Sequence, residues 1–398
     1  MFSKYAISAL VAATMASAQS SCSSATFTIT AATDAAIASC TTVTGDVVIS
    51  TDAGTTVDLG EVAKIEGSLT ADSLALISLT AGSLKSISDT FTLNNLTALS
   101  TLSLTALTSV GTIAWTTLPA LSELTFTAGV ETATNITISD THLSTLAGLS
   151  DSLQTVGLLD LNNNGRLQTV DLALTSLTDN LILQANGQNL AVSLSSLAWA
   201  KELTIANTTT FTAPALQVVN GSARFDSNYF TSLSLPNFTK TETGDVSFIN
   251  NADMTSLNLP VLKAVGGGLT IVNNTAFQNL TLPVLADVGG AVDCGGNFST
   301  VLMPDLNDVV GTFTVTSTTD ISDDCTTLES NAPEPSGNGN IQGKFQCTSN
   351  NDDANTGSAS GGTSSSGSSS SNSSSAAMLH INSAAMGLSF VGLLAQLL

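Results

Sequence analysis

The residues in this chain able to do chemistry are mostly acids. Asp and Glu number 31 against 9 Lys and Arg, for a net charge of −22, and there are only two histidines, His142 and His380. Carboxylates in that excess raise the question of glycoside hydrolysis, which needs two of them ~5–10 Å apart in a cleft. The candidates are Glu202 (beside Lys201), Asp245, and Asp323 with Asp324. Asp245 and the Lys201-Glu202 pair fall at outward or edge positions of the repeat described below, but the repeat between them carries Ser222 and Arg224 instead of acids. Asp323 and Asp324 adjoin Cys325, where a solvated turn explains them better. Asp293 is expected at an inward position, as a local irregularity. The sequence has no Gly-x-Ser-x-Gly, no HExxH and no phosphate-cradling loop. No catalytic residue, metal ligand or cofactor site is therefore assigned, and the chain is expected not to be an enzyme. So acidic a chain repels nucleic acid and anionic lipid.

Five cysteines, Cys22, Cys40, Cys294, Cys325 and Cys347, form no CxxC pair, so with two histidines a zinc site is not supported. In an oxidising compartment Cys22 and Cys40 read as a disulfide. Among the late three, Cys325–Cys347 is favoured, with Cys294–Cys325 close behind. The thiol left over is either buried and inert or intermolecular.

Both termini carry targeting signals. Lys4, an apolar run from Tyr5 to Met15 and the small residues Ala16-Ser17-Ala18 have the layout of a secretory signal peptide cleaved after Ala18. The other reading is a buried N-terminal helix. Thr356 to Ser375 is almost wholly Ser, Gly, Thr and Ala, a composition that stays solvated. The apolar stretch Ala384 to Leu398 that follows is shorter than the ~20 residues a spanning helix needs. Small residues, polar spacer and apolar tail make a GPI-attachment signal, preferred over a tail-anchored helix. Asn372 is the favoured attachment residue, with Ser373 or Gly367 as alternatives. The expected organisation is signal peptide 1–18, ectodomain 19–347, stalk 348–372 and a removed signal 373–398. Nine Asn-x-Ser/Thr sequons, at Asn95, Asn135, Asn207, Asn220, Asn237, Asn273, Asn279, Asn297 and Asn372, point to a glycoprotein.

The elements that would position any site come from a repeat. A small or polar residue followed by x-apolar-x-apolar recurs every 20 to 23 residues, as in Gly45-Asp46-Val47-Val48-Ile49, Gly67-Ser68-Leu69-Thr70-Ala71, Gly244-Asp245-Val246-Ser247-Phe248 and Gly311-Thr312-Phe313-Thr314-Val315. Alternation of that kind is the period of a half-buried strand. A second segment follows each copy, with Leu-Pro-x-Leu at Leu118, Leu259 and Leu282, where Pro removes a donor at a bend. Five-residue strands cannot bury a face alone, so the copies must stack at ~4.8 Å per rung. The expectation is an all-β, right-handed parallel β-solenoid, leucine-rich-repeat-like, of about fourteen rungs. Asn94, Asn163, Asn228, Asn250 and Asn273, just after the strands, either stack as a ladder of buried amides or form turns. Trp115, Trp199, Tyr229 and Phe230 are the few aromatics available to a binding face, with core packing the commoner fate.

Taken together, the signal peptide, the Gly-x-apolar-x-apolar rungs, Leu259-Pro260-x-Leu262-x-x-Val265-Gly266-Gly267, Cys294-Gly295-Gly296-Asn297-Phe298, Cys325, Cys347 and the Ser-rich tail resemble the fungal GPI-anchored cell-wall-organisation proteins of the ECM and sporulation-specific type. The resemblance covers the whole chain and implies a receptor L-domain-like ectodomain and a role in wall assembly. It also implies GPI lipid of the outer leaflet as a partner and cell-wall glucan as another; nucleic acid is excluded by the charge, and a monomer is expected. It implies no catalytic residue. A carbohydrate- or protein-binding module is the alternative, and a glucan-modifying enzyme the third reading.

Overall fold

The computed structural model describes residues 22–355 except 33–36, 38 and 150–152. The expected signal peptide, the expected attachment residue Asn372, the expected removed signal and most of the expected stalk lie outside these residues. Short parallel strands stack in register into a β-solenoid of about 13 turns. One side of every turn contributes to a 22-stranded sheet, and the other side forms sheets of only two or three strands.

One turn shows how the sequence produces this path. Ala264–Val265 is a two-residue strand, the chain bends at Gly266-Gly267-Gly268, and Leu269–Val272 continues the same sheet. Asn273 then takes a left-handed conformation, φ 59°, which Asn tolerates better than most residues. The N–H of Phe277 bonds the carbonyl of Asn274 at 2.9 Å, and the chain reaches the short strand Asn279–Thr281. At Leu282-Pro283-Val284-Leu285 the Leu285 N–H returns to the Leu282 carbonyl at 3.5 Å. This is a β-turn with Pro at its second position, where the ring presets φ. Both leucines of the Leu-Pro-x-Leu signature are buried, so the motif is a turn whose two ends anchor in the core.

Inward positions line up by register. Leu269, Val292 and Phe313 form one column, and Ile271, Cys294 and Val315 its neighbour. Stacking places like against like: Phe225 lies on Phe248 with ring centroids 5.2 Å apart and planes 9° off parallel. Trp115 meets Phe91 and Phe126 edge-on. Such pairs add ~0.5–1.5 kcal/mol beyond their buried area.

The glycines of the repeat mark the bend of the large sheet. A Cβ on Gly244 would sit 2.2 Å from the Gly221 carbonyl carbon, and one on Gly289 2.3 Å from the Gly266 oxygen. Each turn thus nests against the backbone of the one before, and only hydrogen fits there.

Three expectations need correction. Asp293 faces outward between Thr270 and Thr314, and Val292 and Cys294 point inward. The glycine doublet Gly289-Gly290 allows two phases of the pattern, and the structure uses the later one. The buried amide ladder exists, but Asn163, Asn250 and Asn273 are the left-handed turn residues, all with positive φ. The ladder is formed by the next residues, Asn164, Asn251 and Asn274, with Asn186 and Asn228. Asn94 instead ends its strand and donates to the Asp72 carboxylate at 2.8 Å. Finally, the packed body runs past residue 347. The Asn351 N–H bonds the Ser317 carbonyl at 2.8 Å, Ala354 is buried, and the Asn355 amide donates to Asn297 Oδ1 at 2.6 Å. A polar composition that reads as linker supplies the hydrogen bonds an open sheet edge requires.

Disulfides sit at both ends. Cys22 bonds Cys40 beside the first turns, and Cys325 bonds Cys347. The latter ties the helix Ser322–Glu329 to the last strand, Phe345–Thr348. Phe345 stacks on Phe313 at 5.7 Å, closing the apolar column against solvent. Cys294 is free and buried. Burial and the neighbouring Asp293 push its thiol pKa far up, so it carries no thiolate for exchange.

Candidate functional site

The outward face of the large sheet is built from columns of side chains repeated at each turn. One column runs Thr70, Thr92, Ala114, Thr137, Asp160, Ile182, Thr204 and Arg224 by direct pairing. Threonine is its commonest residue because a sheet face in water favours small β-branched polar residues.

Two of the acids weighed for catalysis, Asp245 and Asp324, make structural bonds. Asp245 Oδ1 accepts the Gly268 N–H at 2.8 Å, one turn on. Asp46 does the same for the Ser68 N–H at 2.9 Å, and the hydroxyl of Ser222 for the Asp245 N–H at 3.1 Å. The residue after the bend glycine therefore caps the donor that the bend leaves without a strand partner. Asp324 Oδ2 accepts the Val301 N–H at 2.8 Å, covering the last short strand. Lys201 pairs with Asp179 at 2.7 Å, and Glu202 packs against Gly221. Asp323 lies exposed in the first turn of the helix Ser322–Glu329.

Two acids sequence reasoning passed over are on adjacent turns: Asp287 pairs directly with Asp308 in the sheet. The signal was available, since both precede Val-Gly or Val-Val at the bend, but only the register reveals the juxtaposition. Both stand on the open face, and Gln342 donates to Asp308 Oδ1 at 2.8 Å. Burial raises the pKa of Asp160 and of Asp293 above the usual carboxylate range. The two belong to one column, which runs on from Arg224 through Ser247 and Thr270 to Asp293, but they are many turns apart, flanked by Thr137 and Ile182 and by Thr270 and Thr314 respectively. Among the described residues, no group of three His, Cys, Asp or Glu could hold a metal ion.

A concave feature does exist on the first half of the sheet. A groove of about 760 Å³ crosses successive turns at Lys64, Ser86, Ser109, Glu131, Thr132 and Thr155. The aromatics divide in two. Trp115 and Phe230 are core, while Trp199 and Tyr229 reach the surface.

The sequon asparagines also divide. Asn95, Asn220, Asn237 and Asn279 are exposed. Asn207 Oδ1 accepts the Ala185 N–H at 3.1 Å and Asn135 Oδ1 the Leu158 N–H at 3.2 Å. Asn297 is the most committed: it donates to the Thr275 carbonyl at 2.6 Å and accepts from Thr318 at 2.7 Å and Asn355 at 2.6 Å.

Similarity to known proteins decides the affiliation. The family described as Ecm33, GPI-anchored cell wall organization protein, matches residues 1–39. Protein ecm33 of Aspergillus fumigatus is 37% identical over 67% of this chain and 67% of its own length. The chain belongs to the Ecm33 family. A cell surface GPI-anchored protein of Arthroderma benhamiae is 36% identical over 66% of this chain and 68% of that one. The cell wall protein ecm33 of Schizosaccharomyces pombe is 32% identical over 79% of this chain and 75% of its own. No solved structure matches. In this Ecm33-family chain the shared stretch has to include many rungs, since no such coverage fits within the two ends alone.

Proposed function

We propose that this chain is a GPI-anchored glycoprotein of the fungal cell surface and cell wall that organises the wall without catalysing a reaction. Membership of the Ecm33 family carries this reading, through relatives named as cell wall and cell surface GPI-anchored proteins. The solenoid supplies a long, stiff surface rich in Ser, Thr and Asn, with a net negative charge, held by hydrogen bonds and an apolar column. Such a body acts as a scaffold whose repeated faces contact wall polymers or neighbouring proteins.

The absence of chemistry is supported by the employment of Asp245 and Asp324 as backbone caps. An acid that accepts a bend or strand-edge N–H is aimed at the protein's own backbone. Asn372 remains the proposed attachment residue, residues 1–18 the proposed signal peptide, and GPI lipid the proposed membrane partner. The ectodomain acts as a monomer, with wall glucan as its polymer contact.

The test uses glycosylated protein secreted without residues 373–398, incubated with wall β-glucan. The reading expects no new reducing ends and no transferred oligosaccharide. Products that disappear in the Asp287→Asn or Asp308→Asn variant would overturn the non-enzymatic part. Full-length protein on cells is expected to be released by a phosphatidylinositol-specific phospholipase or by glucanase, and resistance to both would overturn the anchor.

A further inference from the structure

The groove on the first half of the large sheet has an order that its lining alone does not reveal. Ser86 pairs with Ser109, and Ser109 with Thr132, in direct register. Thr155, in the next turn, pairs with Ser176, and Ser176 pairs with Trp199. The groove wall is therefore part of one column of five hydroxyls on successive turns, ending at a part-exposed indole. The hydroxyls are mutually hydrogen-bonded in places: Thr132 donates to Ser109 at 2.8 Å, and Thr155 and Ser176 lie 3.4 Å apart. Lys64 stands at the opposite end of the column from Trp199, with its ammonium already paired to Glu66 at 2.7 Å.

We infer that this column, from Ser86 to Trp199, is a binding track for an uncharged, extended β-linked glycan strand lying along the solenoid axis. Several features select that ligand class. A hydroxyl is both donor and acceptor, so a row of them matches a polymer whose own surface is hydroxyls. The column offers the same group at every ~4.8 Å rung, which suits a homopolymer that also repeats. The track carries no unpaired cation, so it does not select an anionic chain. Trp199 gives the flat apolar surface on which a sugar ring stacks, next to the Ser176 hydroxyl on one side and Val218 on the other. None of the eight sequon asparagines among the described residues is in this column, although Asn135 borders it in the turn of Thr132.

The inference rests on the wall location argued above and names the polymer-contacting surface within it. Trp115 and Trp199 are the two tryptophans of the chain, and Trp115 is fully buried. Intrinsic fluorescence therefore reports binding at Trp199 over a constant background. The secreted ectodomain, with and without enzymatic removal of N-glycans, is titrated with soluble laminari- and chito-oligosaccharides of increasing length. The expected result is a fluorescence change whose midpoint falls with chain length until the track is filled. Trp199→Ala and Ser109→Arg should each weaken binding, measured by calorimetry, about fivefold or more. Thr270→Arg, outward on the same sheet but off the track, should leave it unchanged. All three are surface changes, and an unaltered melting temperature shows that the fold is intact. Binding that survives both track variants overturns the site while leaving the wall role standing. No binding of any oligosaccharide by the wild-type ectodomain overturns the ligand class. Loss of the wall role is read separately, in cells.

Discussion

Asn251 Oδ1 accepts two hydrogen bonds from Asn228, one from its backbone N–H and one from its side-chain amide, both at 3.0 Å. Asn251 in turn donates to the Phe225 carbonyl at 3.0 Å and hands its own N–H to Asn274 Oδ1 at 2.9 Å. The buried N–H and amide of Asn228 and the Phe225 carbonyl are thus satisfied by the next turn's asparagine. The ladder runs Thr141–Asn164–Asn186 and then Thr208–Asn228–Asn251–Asn274. Threonine opens each run, donating through its hydroxyl and its N–H to the asparagine that follows.

Asn251→Ala would remove the partner of the Asn228 N–H, of one hydrogen of the Asn228 amide (the other stays on the Ile205 carbonyl) and of the Phe225 carbonyl. At ~1–3 kcal/mol per orphaned group, the variant should lose about 3 kcal/mol or more. Denaturant unfolding checks this; a loss under about 1 kcal/mol would show that water replaces the ladder.

The bend glycines predict a contrast. Gly244→Ala forces a Cβ into the backbone of the preceding turn and should lower stability by about 1–3 kcal/mol, the usual range for overpacking. Gly165→Ala meets nothing within 4 Å and should be neutral or stabilising by about 0.4–1 kcal/mol through the unfolded state. Melting temperatures of the two variants check the ordering.

Asp160 gives a pH prediction with a defined sign. Burial raises its pKa in the folded protein, so between the unfolded value of about 3.9 and the raised one the folded state binds more protons. Its contribution then makes stability fall as pH rises through that window. Asp160→Asn keeps an acceptor for the Asn162 amide, which donates at 2.8 Å, and removes the charge. The variant should be more stable than wild type at pH 7, and the gap should close as pH is lowered below the window. A gap that persists at low pH would contradict this.

Sequon occupancy should follow the roles of the amides. Glycans are expected on Asn95, Asn220, Asn237 and Asn279, which are exposed. Asn297 should be bare, since its side chain bridges Thr275, Thr318 and Asn355. Peptide mapping by mass spectrometry reads this directly, and a glycan on Asn297 in the folded protein would refute the clasp.

Much of the fold was legible because packing wrote it into the sequence. The alternation over Val47, Ile49, Leu69 and Ala71 left one possible inward face, and the turn leucines of Leu-Pro-x-Leu repeat that constraint. What stayed illegible was phase. Gly289-Gly290 and the doublets Asn250-Asn251 and Asn273-Asn274 each offer two adjacent residues of one type, and pattern alone does not say which is buried. The bend decides it, since the first Asn takes the left-handed position, which other turns fill with Ser73, Thr117 or Ala185, and the core takes the next. The candidate site was harder to see. Ser86, Ser109 and Trp199 are ordinary residues until register puts them in a single column.

The central claim, a surface-anchored organiser of the wall, is tested most directly by growth on a wall-binding dye. A fungal strain lacking this chain is complemented with the full sequence or with residues 373–398 deleted. The account predicts hypersensitivity in the null strain, restored tolerance with the full sequence, and little or no rescue by the freely secreted form. Normal tolerance in the null strain, or full rescue by the secreted form, would contradict it.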